Sequence, residues 1–181
     1  MGVKNLVNKN EARYKKELEF FKEILKDYLD EIDILIWLAL RDDGRISDTD
    51  LAKIANVSVP TARRRRLALE EKGIIRVRGF LVFDKLKLAS ADVLIKLKSG
   101  CSAEAVKDFI TKALEEPRIY EVSEYIGEYD FLFRFFEKDF RTLKEKIEEF
   151  MLESNVVSHY TILANVYTPK LFSELINSSS K

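Results

Sequence analysis

Four consecutive arginines, Arg63 to Arg66, are the residues of this chain best suited to grip a partner. A guanidinium keeps its charge at any physiological pH and offers forked donors that match phosphates and the acceptor edge of guanine. The run sits in SVPTARRRRLALEEKG, where Ser58 can cap a helix and Pro60 falls in its first turn. At about 100° per residue, with Ala62 set toward the core, Leu69 and Gly73 fall within about 20° of it and Arg66 about 40° away. Arg64 points nearly opposite, together with Thr61, and Arg63 and Arg65 occupy the flanks. Arg64 and Thr61 are therefore expected at base edges in a major groove, with Arg63, Arg65, Arg76 and Arg78 at phosphates. With Ser58 these seven form the expected contact set for double-stranded DNA. The plainer reading is a solvated cationic face.

The charge distribution favours the sharper reading. The 181 residues hold 31 Lys+Arg, 31 Asp+Glu and one His, so the formal net charge is zero. Zero argues against coating a polyanion with the whole surface. The balance is uneven along the chain: residues 57–87 are strongly basic, and residues 101–167 are acidic, with Glu121, Glu124, Glu128 and Asp130 unopposed between positions 119 and 133. One cysteine, Cys101, leaves no intramolecular disulfide and fits a reducing compartment. No apolar run is long enough for a membrane span and the start has no signal-peptide core, so the expected location is cytoplasmic. The absence of Gln, with abundant Lys, Glu and Arg, suggests a heat-adapted source.

Two sets of elements must position these residues. Residues 10–40 read as one helix, with Tyr14, Leu18, Phe21, Leu25, Tyr28 and Ile32 on one face, packing on its own domain or on a dimer mate. Ser47 opens a second helix and Ser58 a third. Ala52, Asn56 and Ala62 stand at helix-turn-helix spacing, with Asn56 at a turn position that must tolerate positive φ. Ile74–Val77 and Phe80–Phe83 read as a hairpin, the wing of the motif. From Ala91 onward the order is β-α-β-β-α-β, with strands expected at Val93–Leu97, Ile119–Ile126, Tyr129–Phe136 and Val156–Tyr167. The middle pair is expected to join at Gly127-Glu128. The open sheet face, expected to hold Tyr and Phe, suggests face-to-face pairing of two copies. Residues 168–181 read as an apolar turn and a frayed polar tail.

LDEIDILIWLALRDDGR, ISDTDLAKIANVSVPTARRR, LEEKGIIRVRGFLVFDKLKL and YIGEYDFLFRF, in this order, resemble the Lrp/AsnC (feast/famine) family of transcription regulators over residues 29–168. The resemblance implies an α+β chain: a winged helix-turn-helix domain plus a ferredoxin-like βαββαβ domain of the RAM type. It divides the chain into a helical extension (1–28), a DNA-binding domain (29–80), a hinge (81–90), an effector and oligomerisation domain (91–168) and a tail (169–181). It implies a homodimer, assembling into an octamer or another even oligomer, and an amino-acid effector. By position, Gly127, Glu128, Tyr129 and Asp130 would form the effector loop, with Thr161 lining the cleft. A Gly allows close backbone approach, and Asp130 could accept from an α-ammonium group. Departures are the extra N-terminal helix, Asn56 for the usual Gly, and Arg66 and Leu67 for an aliphatic and a polar residue. A small rotation of the helix could exchange the places of those two.

An enzyme reading has one support, because siroheme decarboxylases share this two-domain layout. They depend on His, and His159 is the lone one here. No Cys/His cluster suggests a metal, and no Gly-rich phosphate loop or nucleophile–base pair is visible. No catalytic residue, metal or cofactor is expected. A third reading is an architectural DNA-binding protein without an effector.

Overall fold

The computed structural model describes residues 14, 16–171 and 174–175. They belong to two compact units, Met1–Phe80 and Leu81–Lys181.

In the first unit α1 covers residues 16–25, α2 Glu31–Asp42, α3 Asp48–Ile54 and α4 Val59–Glu71. The single helix expected over 10–40 is therefore two; positions 10–13 and 15 lie outside the described residues. Asp30 is the cause of the break. Its backbone is extended and its carboxylate accepts from the Asp33 N–H, so a new helix starts where the apolar periodicity alone would have run on. Ser47 and Ser58 cap α3 and α4 through the Asp50 and Thr61 amides. Asn56 turns the chain between them with φ 51°, and Gly73 leaves α4 with φ 67°.

Ala52 and Ala62 are buried with Ile36, Leu51 and Leu69, which lets α3 and α4 cross closely over α2. Tyr14 and Leu18 are buried against Ile34 and Leu38, joined by Phe21, Leu25 and Trp37. The expected stripe thus packs on its own unit, except that Tyr28 departs in the turn before Asp30 and is 80% exposed. The expected hairpin is not formed: residues 74–82 carry no strand ladder. Ile75 is buried, but Ile74, Val77, Phe80 and Leu81 are exposed. An isolated two-stranded ribbon with no layer to bury its face is marginal in water.

The second unit holds α5 (Phe83–Leu86), β1 (Ala89–Leu97), α6 (Ala103–Glu115), β2 (Ile119–Glu124), β3 (Phe131–Glu137), α7 (Phe140–Leu152) and β4 (Val157–Asn165). The sheet order is β2-β3-β1-β4 with antiparallel neighbours, the ferredoxin-like arrangement. Val93, Ile95, Phe133 and Phe135 face α6 and α7 over Phe109, Leu143 and Ile147. The open face holds Phe136 with Tyr120 beside it, as expected, but is otherwise mixed. Strand alternation sends Phe131, Phe133, Phe135 and Tyr160 to the helix side. It leaves Asp92, Leu94, Lys96, Arg134, Phe136, Thr161 and Leu163 on the other, a mixed surface with an aromatic end. α5 lies where a plain hinge was expected; its Phe83 stacks on Phe136, ring centroids 5.0 Å apart. After β4, the stretch expected as an apolar turn carries a two-residue ladder, β5 (Lys170–Leu171) with β6 (Glu174–Leu175); the polar tail beyond it lies outside the described residues.

Candidate nucleic-acid interface and effector loop

The arginine run divides in two. Arg63 and Arg64 are exposed, and neither has an ion-pair partner among the described residues. Arg65 Nη1 lies 2.8 Å from Asp30 Oδ2 and 3.2 Å from Asp33 Oδ2, on the first turn of α2. Arg66 Nε donates to Asp48 Oδ1 at 2.8 Å and its Nη1 to Glu70 Oε1 at 3.0 Å. The Arg66 hydrogen bonds hold the Asp48 carboxyl below its ordinary value, and Asp48 in turn raises Arg66. The three acids partnering from other elements, Asp30, Asp33 and Asp48, sit at helix starts, where a negative charge is already favoured. Arg65 and Arg66 are thus braces that tie α4 to the first turns of α2 and α3.

Arg65 is therefore a correction to the expected contact set: its guanidinium is engaged inside the unit. The suggested rotation of α4 is also absent. Arg66 remains half-buried in its ion pairs and Leu67 stays 38% exposed. A long guanidinium stem fills the place expected for an aliphatic side chain and its head reaches Asp48. Glu70 could have been read from its i,i+4 spacing to Arg66. Asp30, Asp33 and Asp48 could not, because they come from other elements.

Thr61 is half-buried, and its hydroxyl lies 2.8 Å from the Ser58 hydroxyl at the mouth of α4. Arg76 and Arg78 are exposed on the extended arm that follows the helix. That arm is held to the α2–α3 turn at Gly44, where an added Cβ would meet Val77 Cγ1 at 2.8 Å. Ser58, Thr61, Arg63, Arg64, Arg76 and Arg78 all belong to the first unit.

In the second unit, residues 125–130 form a longer connection than the expected turn, because β2 ends at Glu124 and β3 starts at Phe131. The Tyr125 N–H closes it onto the Asp130 carbonyl at 2.8 Å. Gly127 has φ 154°, a region open to glycine and strained for other residues. Glu128 is exposed. Asp130 staples the loop to a bulge in β1: Oδ2 accepts from the Leu97 N–H at 2.7 Å and Oδ1 from Lys96 Nζ at 3.0 Å. Those bonds, the Leu97 N–H foremost, hold its carboxyl below the usual range. Each carboxylate oxygen of Asp130 thus holds one partner inside the unit, and its side chain stays partly exposed.

Tyr129 and Thr161 are brought together, their hydroxyls 3.1 Å apart, and the His159 ring lies edge-on to Tyr129 at 5.8 Å. A cleft of about 120 Å³ lies elsewhere in the unit, over Phe135 and Phe150, and none of the expected effector residues lines it. Among the described residues no three His, Cys, Asp or Glu side chains could hold a metal, and no helix is long and apolar enough to cross a membrane.

Comparison with known proteins adds to this geometry. A family profile described as winged helix-turn-helix DNA-binding matches residues 29–76. The HTH-type transcriptional regulator PH1055 of Pyrococcus horikoshii is 30% identical over 124 residues, 68% of this chain and 78% of its own length. The leucine-responsive regulatory protein of Rhizobium meliloti is 30% identical over 145 residues, 77% of this chain and 91% of its own. In fold, the chain is similar to the transcriptional regulator NMB0573 of Neisseria meningitidis in complex with L-Met, with a TM-score of 0.71 at 22% identity, covering 79% of this chain and 93% of that one.

Proposed function

The chain belongs to the Lrp/AsnC family of transcription regulators, and we propose that it is a sequence-specific DNA reader tuned by a small amphoteric ligand. Residues 29–80 read the DNA, 81–90 form the hinge, and 91–168 hold the ligand and pair the subunits. Residues 1–28 and 169–181 are additions to that plan. The observation that carries the DNA reading is the division of the arginine run. Two braced arginines fix α4, and Arg63 and Arg64 are left exposed on it. Arg64, with Thr61 beside it, meets base edges; Arg63, Arg76, Arg78 and the Ser58 end of the helix meet phosphates.

The ligand end of the reading rests on the Tyr129–Thr161 hydroxyl pair beside the Gly127–Glu128 backbone. Two adjacent hydroxyls and an open glycine backbone suit the polar head of an amino acid. The L-Met bound to NMB0573 supports that chemical class. Asp130 serves here by holding the loop, not by touching the ligand. Subunits pair through the open sheet face around Leu94 and Leu163, which places two copies of α4 on one duplex.

Selection from a random duplex pool followed by footprinting tests the reading. Discrete sites, with half-sites about 34–36 Å apart or multiples of that, are the expected result. Continuous protection without sequence preference contradicts it and favours an architectural role.

A further inference from the structure

The outward side of α4 is not wholly charged. Pro60, Arg64 and Leu67 stand at i, i+4 and i+7, which is one ridge of a helix. With Ala62 at the core-facing zero they fall at about 160°, 200° and 140°. All three are exposed, and Leu67 takes no part in the core of its unit. Its neighbour sets its direction. Arg66 is fixed toward α3 by Asp48 and along α4 by Glu70, and the next residue, about 100° further round, must face outward.

The charges around Leu67 say what it meets. Arg63 and Arg64, exposed one turn before it, suit a polyanion, as do the N–H groups at the Ser58 end of the helix. Glu71, exposed one turn beyond it at about 180°, has the wrong sign for phosphates. Glu70 is taken up by Arg66. A contact with DNA therefore runs from Ser58 to Leu67 and ends there, as for a helix that enters a groove by its N-terminal end. Val59 is exposed as well, but it lies about 140° from Arg64 and cannot share its base step. Leu67 is thus the large aliphatic side chain that lies beside Arg64 within that span. The apolar group on a major-groove base edge is the C5-methyl of thymine. At 1.5 Å per residue, Leu67 stands about 4.5 Å from Arg64 along the axis, against about 3.4 Å for one base-pair step.

We infer that Leu67 reads the methyl group of a thymine that lies one to two base-pair steps from the guanine met by Arg64. The inference rests on the DNA reading proposed above and adds a second base to it. Burying one methyl group against a leucine is worth about three- to fivefold in affinity. Cytosine presents an N4 donor and no methyl group at that place, so the leucine selects against it twice over, by a lost contact and by an unpaired donor. A polar residue at position 67 would lose that selection.

Replacing each thymine of a selected duplex in turn by deoxyuridine removes a methyl group and no hydrogen-bonding atom. Anisotropy titrations of the full chain, of Leu67→Ala and of Arg64→Ala against this set test the inference. In the parent, deoxyuridine at one thymine of each half-site is expected to weaken binding about three- to fivefold. Leu67→Ala is expected to weaken binding to the thymine duplex by a similar factor and to become indifferent to deoxyuridine at that place. A guanine analogue lacking the N7 acceptor locates the guanine, because Arg64→Ala becomes indifferent to it. A deoxyuridine loss that persists in Leu67→Ala overturns the inference. So does a parent indifferent to every deoxyuridine, or a sensitive thymine more than about three base-pair steps from that guanine. These outcomes leave the reading by Arg64 standing. A parent that selects no sequence overturns the DNA reading and the inference with it.

Discussion

Arg65 Nη1 lies 2.8 Å from Asp30 Oδ2, so the third arginine of the run is fastened to the residue that caps α2. A charge that sequence spacing assigns to DNA is thereby spent on holding the reading helix. Arg65→Ala should cost about 1–2 kcal/mol of stability in urea unfolding, because Asp33 loses its partner in a half-buried setting. At matched folded concentration it should leave the slope of log affinity against log salt unchanged.

Arg76→Ala should act differently. Its guanidinium is exposed on the arm after α4 and contributes nothing visible to packing. The variant should keep parental stability, bind specific and random duplexes more weakly by the same factor, and reduce the salt slope by about one. Fluorescence anisotropy at several salt concentrations reads all three.

Asp48 couples α4 to pH. Its folded carboxyl is held below its ordinary value, chiefly by the Arg66 hydrogen bond. A depressed folded value means the pair's stabilisation is fully present above the unfolded value and fades as pH falls through the folded one. Asp48→Asn should therefore cost about 1 kcal/mol at pH 7, discounted for partial exposure, and the difference from the parent should shrink as pH falls below the ordinary aspartate range. Urea midpoints across that range measure it.

Asp130 and Tyr129 should separate loop support from ligand contact. Asp130→Asn weakens the staple to the Leu97 N–H and the Lys96 ammonium, and should cost about 1–2 kcal/mol at pH 7, again fading in acid because its folded carboxyl is depressed. Tyr129→Phe removes the hydroxyl facing Thr161 and little packing. It should change melting temperature by no more than a few degrees, yet abolish the stabilisation given by whichever amino acid raises the parent's melting temperature in a thermal-shift screen.

Periodicity and caps carried most of the fold into view. Ala52 and Ala62 stood out as close-packing positions because helix spacing is local, and Asn56 as the turn because few residues tolerate its φ of 51°. The alternation of β1 likewise marked Val93 and Ile95, while the Phe131–Phe135 run, expected on the open face, turned to the helices. What was hidden depended on distance along the chain. Asp33 is 32 positions from Arg65 and Asp48 is 18 from Arg66, and no local pattern joins them. The bonds that occupy Asp130 come from a bulge in β1 some 33 residues earlier. The wing failed as a hairpin because its apolar residues had no layer to cover them, which residue type does not reveal.

Arg64, in the function proposed above, reads sequence from a helix held by Arg65 and Arg66. The most direct measurement is the affinity of Arg64→Ala for a selected duplex and for a scrambled one, at a single salt concentration, beside the parent. The specific affinity should fall by about 1–3 kcal/mol while the scrambled affinity changes far less, so that the preference shrinks. Equal losses on both duplexes would contradict it and leave Arg64 as one more phosphate contact.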